Sequence, residues 1–425
     1  MLSQIEQQTS YYQASANEYP LVNKLSQNYD VDVCIIGAGI TGLSAAIECA
    51  RQGLTTLVLE QGKIACAASG RSGGQMLLGY NVSQDLLQKK YGPEVATQLW
   101  NLAEESISLA ESRIKKYDIQ CDLKKGALYL AKNESEAAEL KVQSEAYKRL
   151  GIESHLLSGS ALDEHIDTPF YRHGLYENKS GHLHPLNYTY GLAHAALLEG
   201  VQIFHNSPVT GITDLKTGGY RLVSESYRIH THKLILAGNA VIGNLIPGLA
   251  KSIIPITSYI LATEPLAEDI IPGDAACSDE AVLLNYFRKS ADNRLLFGGR
   301  PGAFYSSTEA ANRILYQRML QVFPQLKSVK VDWNWGGRVA ITQPQIPQIL
   351  QKSPNLWVAQ GYSGHGMALA GMAGLLLAEA VAGNSLRMEP FKSVNHLKLP
   401  ANPVMRSALG QLGILGLQLR ERLDT

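Results

Sequence analysis

The chain has 425 residues, with 38 Lys+Arg against 38 Asp+Glu, so its formal net charge is zero. Charged residues make up 18% and hydrophobic residues 45%. That balance excludes a disordered chain and speaks against a protein built around nucleic-acid binding, which carries a basic surplus. At roughly 150 residues per domain, the length predicts two to three domains around a large core.

Residues 1–30 form a polar lead containing Tyr11, Tyr12 and Tyr19. Residues 1–17 lack the basic start and apolar core of a secretory signal. The run Val31-Asp32-Val33-Cys34-Ile35-Ile36 is apolar on both faces, as a central parallel strand requires. A glycine turn follows, then helical spacing over 43–52, a stop at Gly53 and a second strand, Leu57-Val58-Leu59-Glu60: one βαβ unit. Helices are predicted over 86–90, 94–117 and 134–150, with strands around Gly126 within 122–132. A further helix over 186–199 is opened by His184-Pro185, since proline suits a first helical turn. Strand character returns at 201–204, 207–209 and 234–238. Residues 253–334 read as mainly β with one helix over 307–323. The stretch 367–383 contains Glu379 and is short for a bilayer span, so it predicts a packed internal helix.

Cys34, Cys49, Cys66, Cys121 and Cys277 are odd in number, scattered and never spaced C-x-x-C. No disulfide framework or zinc site is expected, and the pattern fits a reducing, cytoplasmic compartment. His182-x-His184 beside Pro185 reads as loop packing, so no metal is expected. The expected division is a lead (1–30), a discontinuous nucleotide-binding domain (31–84, 185–250, 336–395), a second domain (85–184, 251–335) and a tail helix (396–425). That tail either docks on the first domain, joins a dimer or lies on a membrane surface, docking being the preferred reading.

Four segments carry chemistry. In the first, Gly37-x-Gly39-Ile40-Thr41-Gly42 sits between strand and helix. Gly37 permits the turn, Gly39 admits a pyrophosphate and Gly42 lets helix and strand pack closely. The helix N-terminus offers free N–H groups to phosphate. Glu60, followed by Gln61, can accept both hydroxyls of an adenosine ribose and would repel a 2′-phosphate. In the second, the small-residue loop Ser69-Gly70-Arg71-Ser72-Gly73-Gly74-Gln75 lets a long cofactor lie along the backbone. Arg71 either neutralises pyrophosphate or faces a flavin, and Gln75 reaches the ring or the substrate. In the third, the strand ending Ala237-Gly238 is expected to pass close to a bound dinucleotide, and Val209 either sits by its adenine or is an ordinary core residue. The fourth, Gly361-Tyr362-Ser363-Gly364-His365-Gly366-Met367, leads into a helix. The positive end of that helix stabilises the charge of a reduced flavin. Ser363 is alternatively a plain N-cap, and His365 either a flavin neighbour or a loop histidine bonded to backbone.

These strings, with Ser10-Tyr11-Tyr12, Tyr19-Pro20, His182-Leu183-His184-Pro185-Leu186-Asn187-Tyr188, Tyr286-Phe287-Arg288, Leu296-Phe297-Gly298-Gly299-Arg300, Trp335-Gly336-Gly337 and Ala340-Ile341-Thr342, span nearly the whole chain. They resemble the D-amino-acid-oxidase-type FAD-dependent oxidoreductases, and within them the gamma-glutamylputrescine oxidoreductase branch. The resemblance implies an α/β fold: a Rossmann-like FAD-binding domain interrupted by a mainly antiparallel β-sheet substrate domain with helices. It implies oxidation of a carbon–nitrogen bond in a polyamine capped by a gamma-glutamyl group, giving an aldehyde, ammonia and, with oxygen as acceptor, hydrogen peroxide. Covalent relatives carry a Cys near the segment matching Ala340–Thr342; none stands here, so non-covalent FAD is expected. They also carry a Lys soon after the loop, where this chain has Ala368.

Hydride loss from an amine requires its neutral form. Holding an alkylammonium of pKa about 10.4 neutral at pH 7 costs roughly 4.6 kcal/mol, which an apolar pocket helps to supply. Tyr286, Phe287 and Trp335 are candidates to line that pocket, and Arg288 and Arg300 to hold a remote carboxylate. The residues expected at the reacting end are therefore Gln75, Tyr286, Arg300, Trp335 and His365. The expected partners are a small amine and molecular oxygen or another acceptor. Two other readings stand beside this one: a dehydrogenase of glycine, sarcosine or a D-amino acid passing electrons to quinone, and a flavin-binding subunit without turnover.

Overall fold

The computed structural model describes residues 4–215, 218–243, 245–302, 307–400, 405, 408, 410–413, 415 and 416. Its strands are β1 (Tyr29–Ile36), β2 (Thr56–Leu59), β3 (Gln75–Met76), β4 (Lys124–Ala131), β5 (Ser154–Ser158), β6 (His173–His182), β7 (Gln202–Phe204), β8 (Val209–Asp214), β9 (Tyr220–Ser224), β10 (Tyr227–Leu236), β11 (Ile254–Thr263), β12 (Ala276–Asp279), β13 (Asn285–Lys289), β14 (Leu295–Gly299), β15 (Val331–Ile341), β16 (Gln348–Ser353) and β17 (Leu356–Gln360).

Among the described residues these form two sheets. The first has eight strands and runs β16-β17-β10-β1-β2-β7, with β9 on β10 and β8 on β9. Its centre is parallel: β1 pairs with both β2 and β10, and β10 with β17. The buried run Val33 to Ile36 explains this position, because a central strand is covered on both faces. The helix Ile40–Arg51 crosses from β1 to β2 and packs on the helix Gly366–Val381. The second sheet has nine strands in the order β15-β11-β14-β13-β12-β4-β6-β3, with β5 on β6. It is mainly antiparallel, β12 with β4 being a parallel pair. The helix Thr308–Val322 covers it through Leu315 and Met319, beside a stack of Phe287 on Phe297 at 5.6 Å.

Several boundaries differ from expectation. The region 122–132 is a single strand with an irregularity at Gly126, whose φ is +103° and whose missing Cβ leaves room for the Tyr176 ring. The helix Pro93–Lys116 lies against the helix Gly366–Val381, on the side of the first sheet rather than the second. The buried Arg113 pins it there, with Nη1 2.6 Å from Ser44 Oγ and Nη2 2.9 Å from a Glu48 oxygen. β15 runs straight through the expected boundary at 335/336, and β3 belongs to the second sheet through the pair Gln75↔His182. Of the expected tail helix, Leu409, Arg420, Glu421 and Arg422 lie outside the described residues. No helix among the described residues is long and apolar enough to cross a membrane.

Candidate active site

A cavity of about 980 Å³ lies between the two sheets, lined by segments from both. At one end β1 stops at Gly37, φ +111°, where an added Cβ would come within 2.9 Å of Ala237 O. Gly42 is equally constrained, its Cβ falling 1.8 Å from Gly37 O, so only glycine lets this helix start so close to the strand. The buried Glu60 carboxylate accepts from Ala38 N at 2.9 Å and from Gly62 N at 3.0 Å. Burial pushes its pKa up. Gln61, Val209, Ala237 and Gly238 line the same cavity.

The helix Ile40–Arg51 opens at Gly39 without a side-chain cap. Ser69 Oγ accepts from Ile40 N at 3.1 Å, so the small-residue loop closes over the helix start. Gly39, Ile40, Thr41, Ser69, Ser72, Gly73, Gly74 and Gln75 all line the cavity. Gly42 and Gly70 act through packing instead; a Cβ on Gly70 would lie 2.4 Å from Ala65 O.

The second uncapped helix start belongs to Gly366–Val381, whose N-cap is His365. The loop before it is pinned on three sides. Gly361 N donates to Asn239 Oδ1 at 2.9 Å, Ser363 N to Ala340 O at 3.0 Å, and Tyr362 Oη lies 2.6 Å from Thr41 Oγ1. Ser363 is not the N-cap; its Oγ accepts from Thr342 N at 3.1 Å, and it sits at φ +52° to do so. His365 lines the cavity with Gly364, Gly366 and Met367. Burial pushes its imidazolium down to about 4, so the ring is neutral at pH 7. The positive charge offered here is that of the helix end, not of the histidine.

On the wall formed by the second sheet stand Gln75, Ser258, Val282, Leu284, Tyr286 and Arg300. Gln75 Nε2 donates to Cys277 O at 2.9 Å, which fixes the side chain across the sheet. The Tyr286 ring lies over Gly73 and Gly298, where added Cβ atoms would come within 2.7 and 2.0 Å of its Cε2.

Other candidates are placed elsewhere. Arg71 is buried, with Nε 2.7 Å from Gly336 O and Nη1 2.8 Å from Gln8 O; it ties the N-terminal segment to β15 and does not line the cavity. Trp335 is fully buried behind it, its Nε1 donating to Arg71 O at 2.9 Å and its ring 5.1 Å from that of Tyr12. Arg288 donates to Gly73 O at 2.7 Å and Leu183 O at 3.0 Å, so it holds the glycine loop and is not placed to bind a ligand in this cavity. His184 Nδ1 caps the helix Pro185–Leu198 by accepting from Asn187 N at 3.1 Å. Among the described residues no group of His, Cys, Asp or Glu is arranged to hold a metal. Residues not anticipated at the cavity include Ser258, Asn239 and Arg338, the last paired with the buried Glu6 at 2.6 Å. None carries a motif; each reaches the cavity through strand register or through a partner distant in sequence.

A single cavity lined by two helix starts that lack an N-cap side chain and by a buried carboxylate fits an extended dinucleotide. Its volume lies at the upper end of the range of about 300–1,000 Å³ for ligand pockets. Residues 32–380 match the family model described as FAD dependent oxidoreductase. The chain belongs to this family. It is 39% identical to a probable oxidoreductase, OrdL, of Haemophilus influenzae, over 95% of each chain. It is 35% identical to the gamma-glutamylputrescine oxidoreductase of Escherichia coli, over 98% of this chain and 99% of the relative. Among solved structures, glycine oxidase from Geobacillus kaustophilus superposes with a TM-score of 0.75 at 22% identity, covering 87% of this chain and all of that one. The D-amino-acid-oxidase-type fold and the use of FAD expected from the motifs are thereby shown, and the chain is an FAD-dependent oxidoreductase.

Proposed function

We propose that this enzyme oxidises a terminal amine of a gamma-glutamylated putrescine or a related polyamine. The balanced reaction takes an aminomethyl group, oxygen and water to an aldehyde, ammonia and hydrogen peroxide. The observation that carries the substrate class is the end-to-end similarity to the Escherichia coli relative. Bound FAD supplies the two-electron acceptor for hydride. The chain's own part is placement and electrostatics. Glu60 would accept the ribose hydroxyls, and the start of the helix Ile40–Arg51 would hold the pyrophosphate. The start of Gly366–Val381, with neutral His365, would offer its N–H groups to the negative charge of a reduced flavin. Val282, Leu284 and the Tyr286 ring form an apolar wall that favours a neutral amine. Arg300 on the same wall suits a remote carboxylate. We place the enzyme in the cytoplasm, consistent with its five free cysteines.

Anaerobic mixing with putrescine, gamma-glutamylputrescine, glycine, sarcosine and D-alanine, followed by flavin absorbance, tests the proposal. Bleaching is expected to be fastest with gamma-glutamylputrescine. Bleaching by the amino acids alone would replace the polyamine reading with the amino-acid one.

A further inference from the structure

Ser258 on β11 and Tyr286 on β13 both line the cavity, with their hydroxyl oxygens 3.0 Å apart. Ser258 Oγ also lies 3.1 Å from Gly299 O. A carbonyl oxygen carries no proton, so that contact is a hydrogen bond only when Ser258 donates. A serine hydroxyl has a single proton. Ser258 has none left for Tyr286, and the tyrosine O–H must therefore donate to Ser258 Oγ. Burial raises the phenol's pKa, so that proton stays in place at neutral pH. The ring cannot swing to another partner without meeting Gly73 or Gly298. What Tyr286 still offers to the cavity is a lone pair.

We infer that Tyr286 is a specificity-determining residue that accepts a hydrogen bond from a substrate N–H and disfavours a carboxylate at that position, with Ser258 as the positioning residue that sets its polarity. The identity of the N–H rests on the amine reading above; the polarity does not. A carboxylate presents only lone pairs and would oppose the lone pair of Tyr286 against a largely apolar wall. A polar group left unpaired in this way is a strong basis for discrimination. The arrangement separates an amine from an amino acid that shares its reacting carbon–nitrogen bond. A carboxylate carried at a distance is left to Arg300.

Titrations of the holoenzyme with butylamine and with propionate, read by the flavin absorbance change, test this directly. The expected result has three parts. Butylamine binds the wild type more tightly than propionate. Tyr286→Phe weakens butylamine about tenfold and leaves propionate unweakened. Ser258→Ala frees the tyrosine proton and lowers the propionate-to-butylamine Kd ratio about tenfold, the value of one hydrogen bond to a charged group. Propionate binding that is lost in Tyr286→Phe, or a ratio unmoved in Ser258→Ala, overturns the inference. If the ratio shifts as stated while no polyamine bleaches the flavin, the substrate proposal fails and the polarity stands.

Discussion

Tyr362 Oη lies 2.6 Å from Thr41 Oγ1, and both residues are buried. This one contact joins the two helix starts that face the cavity, because Thr41 opens one helix and Tyr362 belongs to the loop that precedes the other. Removing the hydroxyl costs about 1 kcal/mol of net hydrogen bonding. Tyr362→Phe is expected to raise the Kd for FAD several-fold and to lower the flavin reduction potential as the second helix start loosens. Fluorescence titration and dye equilibration measure the two; unchanged values in both would show that the contact couples nothing.

Glu60 serves two backbone N–H groups as well as the proposed ribose contact. Glu60→Ala leaves both buried donors unpaired, at about 1–3 kcal/mol each. Purified Glu60→Ala should carry little FAD, whereas Glu60→Gln, which keeps one acceptor, should retain an intermediate amount. Full flavin content in the alanine variant would remove the ribose role.

Arg71 is a structural tie between β15 and the N-terminal segment. An ammonium cannot reproduce two directed bonds from one planar fork. Arg71→Lys should lower the unfolding midpoint while the folded protein keeps its Kd for FAD. A weaker Kd at unchanged stability would return Arg71 to the phosphates.

His184 gives the protein a pH dependence of predictable sign. Burial depresses its pKa from 6.5 to about 3, so the folded state refuses a proton that the unfolded chain takes up. Stability is fully present above pH 6.5 and falls as pH drops toward 3, by about 1.4 kcal/mol per pH unit for this group. His184→Asn keeps an acceptor for Asn187 N and should flatten the slope of denaturation midpoint between pH 6.5 and 5. An unaltered slope would assign the acid sensitivity to other groups.

The flavin should leave intact on acid precipitation. Among the described residues, Cys66 is the cysteine that lines the cavity, and it stands by Glu60 at 3.7 Å, at the adenosine end. Yellow colour retained in the washed pellet would reveal a covalent bond.

Much of this architecture was legible because its determinants are local. The apolar run Val33 to Ile36, the Gly37–Gly42 spacing and Glu60 lie within one βαβ unit, and the caps Ser307 and His184-Pro185 mark helix starts to within a residue. The misplaced candidates share a different property. Arg71 announces five donors but not their acceptors, and Gly336 O and Gln8 O are remote in sequence. Trp335-Gly336-Gly337 reads as an interruption between domains. In the fold the strand continues through them, and the bare Gly336 admits the Ile5 side chain, to which an added Cβ would come within 2.9 Å. Ser258 has no motif at all; its role comes from the register that sets Tyr259 opposite Gly299.

The cavity's lining is encoded far apart in the chain, partly in residues 36–81 and partly in residues 361–370. A nascent chain emerging from the ribosome can thus display its phosphate turn early yet hold no complete berth for the coenzyme until the last glycine turn has been synthesised. Loading with FAD is therefore expected only once that turn has been made.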